Sequence, residues 1–123
     1  MSEISTEFVK IIKDFLKDIL TTFPEYKDSL NNHLQNIVLD KGSPEEIVTL
    51  YEFCSTIYPP RFFDILYKNE DIFNDASLNT FFLPGIDFSL LWKENIGDRT
   101  REIIWKYLQL ILLTFLLYCK MNL

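Results

Sequence analysis

Glycine and proline are scarce in this chain, three and five in 123 residues, and cysteine and histidine scarcer still, two and one. Each shortage excludes something. Three glycines cannot build a collagen-like repeat, and at positions 42, 85 and 97 they lie too far apart for a phosphate-cradling loop. Cys54 and Cys119 are too few for a disulfide framework. Each stands among apolar neighbours at helical spacing, the setting of a small buried hydrophobe in a reducing compartment. His33 lacks the Cys-x-x-Cys or His-Glu-x-x-His company of a metal site, and pairing it with Cys54 is the one route to a cysteine nucleophile. No Gly-x-Ser-x-Gly elbow exists for a serine nucleophile either. The expectation is therefore a chain with no enzyme activity, no cofactor and no metal. Basic runs are missing too: twelve Lys and Arg stand against eighteen Asp and Glu, a net charge of −6 with the deficit gathered in residues 40–90. Binding to phosphates is driven by Lys and Arg, so nucleic acid is not an expected partner. Met1 precedes polar and acidic residues rather than a continuous apolar run, so no secretory signal is expected.

Apolar residues are abundant by contrast, 48% of the chain, with 15% aromatic. A 14.6 kDa chain of this kind can bury about two-thirds of its surface in one core, so residues 1–123 read as a single helical domain. Phe8, Ile11, Ile12, Phe15, Leu16, Ile19, Leu20 and Phe23 recur at three-and-four spacing, which predicts a helix from about Thr6 to Phe23. Pro24 opens a second, with Tyr26, Leu30, Leu34, Ile37 and Val38 on its face. Ser43-Pro44-Glu45-Glu46 is a capping box with proline at the first helical position, starting a third helix that runs to about Tyr58. Its expected buried face is Ile47, Val48, Leu50, Tyr51, Cys54, Ile57 and Tyr58. Pro59 and Pro60 end it and allow a short fourth helix through Lys68.

Residues 69–86 mix turn-formers with Ile72, Phe73, Leu78, Phe81, Phe82 and Leu83, and are expected as short helical turns packed on the core. The acidic group Glu70, Asp71, Asn74 and Asp75 lacks the central glycine and twelfth-position glutamate of a calcium loop, so it reads as a solvated turn. Asp87 is a plausible N-cap for a helix carrying Phe88, Leu91 and Trp92, and Asp98 for a long final helix. From Ile103 to Cys119 all but Lys106, Gln109 and Thr114 are apolar, which predicts a helix buried on all sides or seated in lipid. Glu102 and Lys106, four apart in the favourable order, are expected to pair on its surface. The fold expected is thus all-α, a compact bundle of about six helices around an apolar C-terminal helix.

Two sets of residues are candidates for function. Phe62, Phe63, Tyr67, Phe81, Phe82 and Trp92 could line an apolar surface for a partner helix, or else be core. Tyr107, Leu110, Ile111, Leu113, Phe115 and Leu117 mark the final helix as either a central core helix or a membrane segment over residues 107–119, with Arg99, Arg101 and Lys106 at its boundary. Thirteen residues rise only about 20 Å, short of the roughly 30 Å hydrocarbon core, so interfacial attachment is the better form of the membrane alternative.

Phe82 to Leu112, FLPGIDFSLLWKENIGDRTREIIWKYLQLIL, resembles a segment of uncharacterised proteins of giant viruses, the nucleocytoplasmic large DNA viruses. The likeness is carried by Leu-Pro-Gly-Ile-Asp-Phe, then Leu-Trp, then Thr100 and Arg101 leading into Ile104-Trp-Lys-Tyr-Leu-Gln-Leu-Ile-Leu. That resemblance implies a viral protein in the host cytoplasm or the virion, with no assigned catalytic residues, whose domain continues beyond where Leu123 ends this chain. Together these readings point to a non-enzymatic interaction or assembly module, acting through apolar helix surfaces on a protein partner or another copy. The alternative is a tail-anchored or interfacially attached membrane protein with a cytoplasmic helical domain.

Overall fold

The computed structural model describes residues 3–29, 44–75, 77–83, 86–94 and 96–121. Helix α1 spans Glu3–Thr22, and the periodicity read from the sequence is the one it buries: Phe8, Ile12, Phe15, Leu16 and Ile19 face the core while Lys10, Asp14, Lys17 and Asp18 take the polar side. Pro24 cannot donate a backbone hydrogen bond. The chain turns there into a 3-10 segment, Pro24–Ser29, where the Tyr26 amide donates to the Phe23 carbonyl. Most of the expected second helix, with His33 and the Ser43 cap, lies outside the described residues.

Helix α2, Pro44–Ile57, begins at the expected proline and stops before Pro59. Leu50, Cys54 and Ile57 are buried, and Tyr58 follows them into the core. Val48 is exposed, against expectation, because it stands on the side turned away from Leu50 and Cys54. After a 3-10 turn at Pro59–Arg61 comes the single-turn helix α3, Phe62–Leu66, which buries only Ile65. Its exit is a left-handed residue, Lys68 at φ 54°, a position that usually falls to glycine. The turn is held by the Asn69 amide on the Asp64 carbonyl at 2.8 Å and the Asn69 side chain on the Asp64 carboxylate at 2.9 Å.

Of residues 69–75 and 77–83, Glu70–Asn74 forms a 3-10 turn and 77–83 is irregular, with Ile72, Phe73, Phe82 and Leu83 buried, as is Ile86. Helix α4, Phe88–Lys93, is capped by Asp87, whose carboxylate accepts from the Ser89 amide at 3.0 Å. Helix α5, Asp98–Met121, is the longest. Its first helical hydrogen bond runs from the Arg101 amide to the Gly97 carbonyl, so Gly97 rather than Asp98 holds the cap position. Asp98 sits one residue inside, where a negative charge still favours the helix dipole.

The chain is all-α: no strand forms among the described residues, only an isolated bridge between Leu83 and Ile86. The expected count of about six helices is not confirmed there: Phe62–Leu66 and Phe88–Lys93 are no more than one or two turns long, and most of the expected second helix lies outside the described residues. Helix α5 touches every part: Tyr107 stacks on Phe15 of α1 at 4.7 Å, Phe115 on Tyr51 of α2 at 5.1 Å, and Trp105 meets Phe73 at 5.5 Å. The middle of the core is aromatic. Phe73 stacks on Trp92 at 4.3 Å, Trp92 meets Trp105 edge-on at 5.5 Å, and Phe82 lies edge-on to Tyr58 at 5.4 Å and Phe88 at 5.8 Å. Such pairs contribute about 0.5–1.5 kcal/mol each beyond their buried area.

Candidate interaction surface

The two candidate sets separate cleanly by burial. Phe82 and Trp92 are core residues, not surface: Phe82 is wholly enclosed by Tyr58, Phe73 and Phe88, and Trp92 is sandwiched by Phe73, Trp105 and the Arg101 guanidinium, 5.5 Å from its ring. Phe62 is half-buried, edge-on to Phe63 at 5.0 Å. Phe63 and Tyr67 project into solvent with their rings parallel, 6.4 Å apart.

On α5, Ile111 and Phe115 are buried while Leu113 and Leu117 are exposed, with Tyr107 and Leu110 between these states. Among the described residues, neighbours cover part of the helix's circumference and leave the side of Leu113 and Leu117 bare, which corrects the expectation of burial all round.

Helix α3 fixes where that bare side leads. Lys68, just past the end of α3, forms an ion pair with Glu102 at 2.8 Å, and the Gln109 side-chain amide donates to the Ile65 and Leu66 carbonyls at 3.2 Å each. The pairing of Glu102 with Lys68 replaces the expected pairing with Lys106. As the chain runs back from Lys68 to Leu66, its partner moves two turns forward along α5, so the two helices run antiparallel. Phe63 stands about one turn earlier still on α3, and Leu113 about one turn further along α5. Gln109, Leu113 and Leu116 or Leu117 follow one another at helical spacing on one face.

The surface so formed has an aromatic ridge, Phe63 and Tyr67 with Leu66, beside a leucine stripe, Leu113, Leu116 and Leu117. At one end it is rimmed by Lys68, Glu102 and Lys106, which line a shallow groove with Gln109. An apolar centre with a charged rim is the anatomy of protein interfaces. Leu66 and Leu116 were missed in the sequence. The signal for Leu116 was there: Glu102, Lys106 and Gln109 mark the outward line of the helix at four-three spacing, and continuing it reaches Leu113 and Leu116.

Phe81 belongs elsewhere. It is exposed beside a cleft of about 400 Å³ that also involves Leu90, Thr80, Asp87 and Ser89 and no residue of α3 or α5. The cleft's polar side is internally satisfied. Buried Thr80 has its hydroxyl 2.6 Å from the Asp87 carboxylate and 2.6 Å from the Ser89 hydroxyl. Thr80 donates its single hydroxyl proton to the Asp87 carboxylate, so it receives the Ser89 proton. This ties the 77–81 segment to the start of α4 and leaves Ser89 without a base to activate it as a nucleophile.

Burial pushes the Cys54 thiol up to about 12, the behaviour of an inert core cysteine. Among the described residues no group of three or more His, Cys, Asp or Glu could hold a metal ion. No helix there is long and apolar enough to cross a membrane. Comparison with protein-family models, with curated proteins and with solved structures finds no match for this chain.

Proposed function

We propose that this protein is a non-enzymatic interaction or assembly module, which binds another protein chain through the ridge and stripe on α3 and α5. The observation that carries the reading is the exposure of six large apolar side chains on two segments that the Lys68–Glu102 pair and the Gln109 hydrogen bonds hold together: Phe63 67%, Leu66 46% and Tyr67 73% on α3 and its exit, Leu113 55%, Leu116 39% and Leu117 47% on α5. At about 200 Å² for a fully exposed side chain of this size, they leave roughly 650 Å² in water, more than a typical monomer's largest patch. Over the whole chain we read a bundle of about six helices around α5. Its setting, an infected host's cytoplasm or the virion, rests on the likeness of residues 82–112 alone.

The test is site-specific photo-crosslinking of the full chain in the cells that express it. A benzoyl-phenylalanine replaces Tyr67 or Leu113, and for comparison Glu52 on the polar side of α2. Adducts to protein are expected from the first two positions and not from the third. If neither position on the face captures any protein, the interaction reading fails. Should they capture only lipid, the interfacial membrane alternative replaces it.

A further inference from the structure

We infer that the occupant of this face is a second copy of the chain, docked about a two-fold axis with α5 antiparallel to its mate. The inference rests on the interaction reading above and names its partner. Three features of the surface support it.

The first is area. Two faces of about 650 Å² bury roughly 1,300 Å² between them, within the 1,200–2,000 Å² range of specific interfaces and at its low end. That predicts a reversible dimer rather than an obligate one.

The second is shape. An isologous interface must complement itself, since each patch meets the same patch rotated. Here an exposed aromatic pair on α3 and its exit accompanies an exposed leucine stripe on α5, the two tied together by Gln109 and the Lys68–Glu102 pair. A two-fold axis through the stripe near Leu113 lays each copy's Phe63 and Tyr67 across Leu116 and Leu117 of the other. One face thus supplies both halves of the joint.

The third is charge. None of the six side chains carries a formal charge, and of the acids beside them Glu102 is paired with Lys68 and Asp64 accepts from the Asn69 side chain. The face can therefore meet its copy without burying a charge. The whole chain carries −6, which opposes docking on an anionic lipid surface over its full extent. The same repulsion between two copies is screened within about 8 Å at physiological salt.

The experiment is sedimentation equilibrium of the purified full chain from about 1 to about 300 µM, with the mass followed from 14.6 kDa upward. A monomer–dimer equilibrium is expected, with dissociation near 10 µM to within about tenfold. Raising salt from about 0.05 to about 0.5 M should tighten it, because like net charges are screened while apolar contact is not. Leu113→Glu places two carboxylates at the axis and should weaken the dimer at least tenfold. Tyr67→Ser, at a still more exposed position, should do so without touching α5. Leu90→Glu, exposed on α4 beside the cleft, should leave it unchanged. Helical circular dichroism and an unshifted melting temperature confirm that each variant is folded.

A chain that stays monomeric at every concentration overturns the dimer, as does a dimer that survives both Leu113→Glu and Tyr67→Ser. Flotation with neutral or anionic vesicles by a chain that is monomeric in solution overturns it as well. The crosslinks separate this failure from that of the wider reading: adducts near twice the chain mass are expected. Adducts only at other masses reject self-association while keeping the interaction module.

Discussion

Tyr58→Phe removes one oxygen atom from the centre of the molecule. Tyr58 is wholly buried at the end of α2, and its hydroxyl donates to the Phe82 carbonyl at 2.8 Å, joining segments twenty-four residues apart. Burial also drives the phenol well above its ordinary pKa, so at neutral pH it is a pure donor to that carbonyl. The ring itself stays edge-on to Phe82 in the variant, so packing is preserved and the change isolates the hydrogen bond. Losing a net hydrogen bond costs about 1 kcal/mol, and leaving a buried carbonyl unpaired adds about another, for a total near 2 kcal/mol. For a chain of this length that lowers Tm by roughly 6–10 °C. The assay is equilibrium urea unfolding followed by circular dichroism, with the change confined to the midpoint and not the slope. Tyr67→Phe is the control, since the Tyr67 side chain stands 73% exposed and water replaces its partner. If the two variants lose the same stability, within about 0.5 kcal/mol, the Tyr58 bond does not hold the 77–83 segment to α2 and the reasoning is wrong.

Two further outcomes follow from the local chemistry. Asp87→Ala removes both the cap of α4 and the acceptor that orders Thr80, and should cost about 1–2 kcal/mol in a thermal melt, with Asp87→Ser recovering part of it. The chain should also lose stability as pH rises from about 9 toward about 12, because Cys54 holds its proton to about 12 when folded and only to its ordinary 9.0 when unfolded. Above the unfolded value the unfolded state sheds a proton that the folded state keeps, so unfolding is favoured. Tyr58 and Tyr107, both raised, act in the same direction. Cys54→Ala should flatten the decline in urea midpoint between about pH 9 and about pH 11.

What the sequence disclosed followed from how local each determinant is. The buried face of α1, the Pro44 start of α2 and the Asp87 cap are set by residues within a few positions of one another, and all three stand as read. The fate of the aromatic residues is not local. Phe63 and Phe73 have similar neighbours in sequence, yet Phe73 meets Trp92 and Trp105 and is buried, while Phe63 meets Phe62 and Tyr67 and is exposed. The difference is made by α5, some thirty residues on, whose Gln109 and Glu102 fix which side of α3 is outermost. Likewise the apolar run after Gln109 has almost no periodicity of its own. Which of its sides is covered depends on where α1, α2 and α3 dock.

That geometry bears on why the leucines are bare. A folded monomer of 14.6 kDa exposes about 6,900 Å² by the surface scaling law, and this chain exposes 7333 Å². The overall burial is ordinary, so the stripe is not the mark of a loosely packed chain. It is local: α5 is apolar around nearly its whole circumference from Leu110 to Leu117, and the described residues supply neighbours for part of it only. Glutamine at 113, 116 and 117 would continue the polar line of Glu102, Lys106 and Gln109 at no cost to the core. Glutamine is nearly as good a helix former as leucine. The triple variant should therefore keep the stability of the wild type, within about 0.5 kcal/mol, when both are unfolded in urea at about 1 µM, where association contributes little. At about 300 µM the wild type alone should gain stability by mass action. A triple variant that loses more than about 1.5 kcal/mol at low concentration would place those leucines among the packing contacts of the monomer, and the face would then be a rim of the core rather than a surface built to meet another chain.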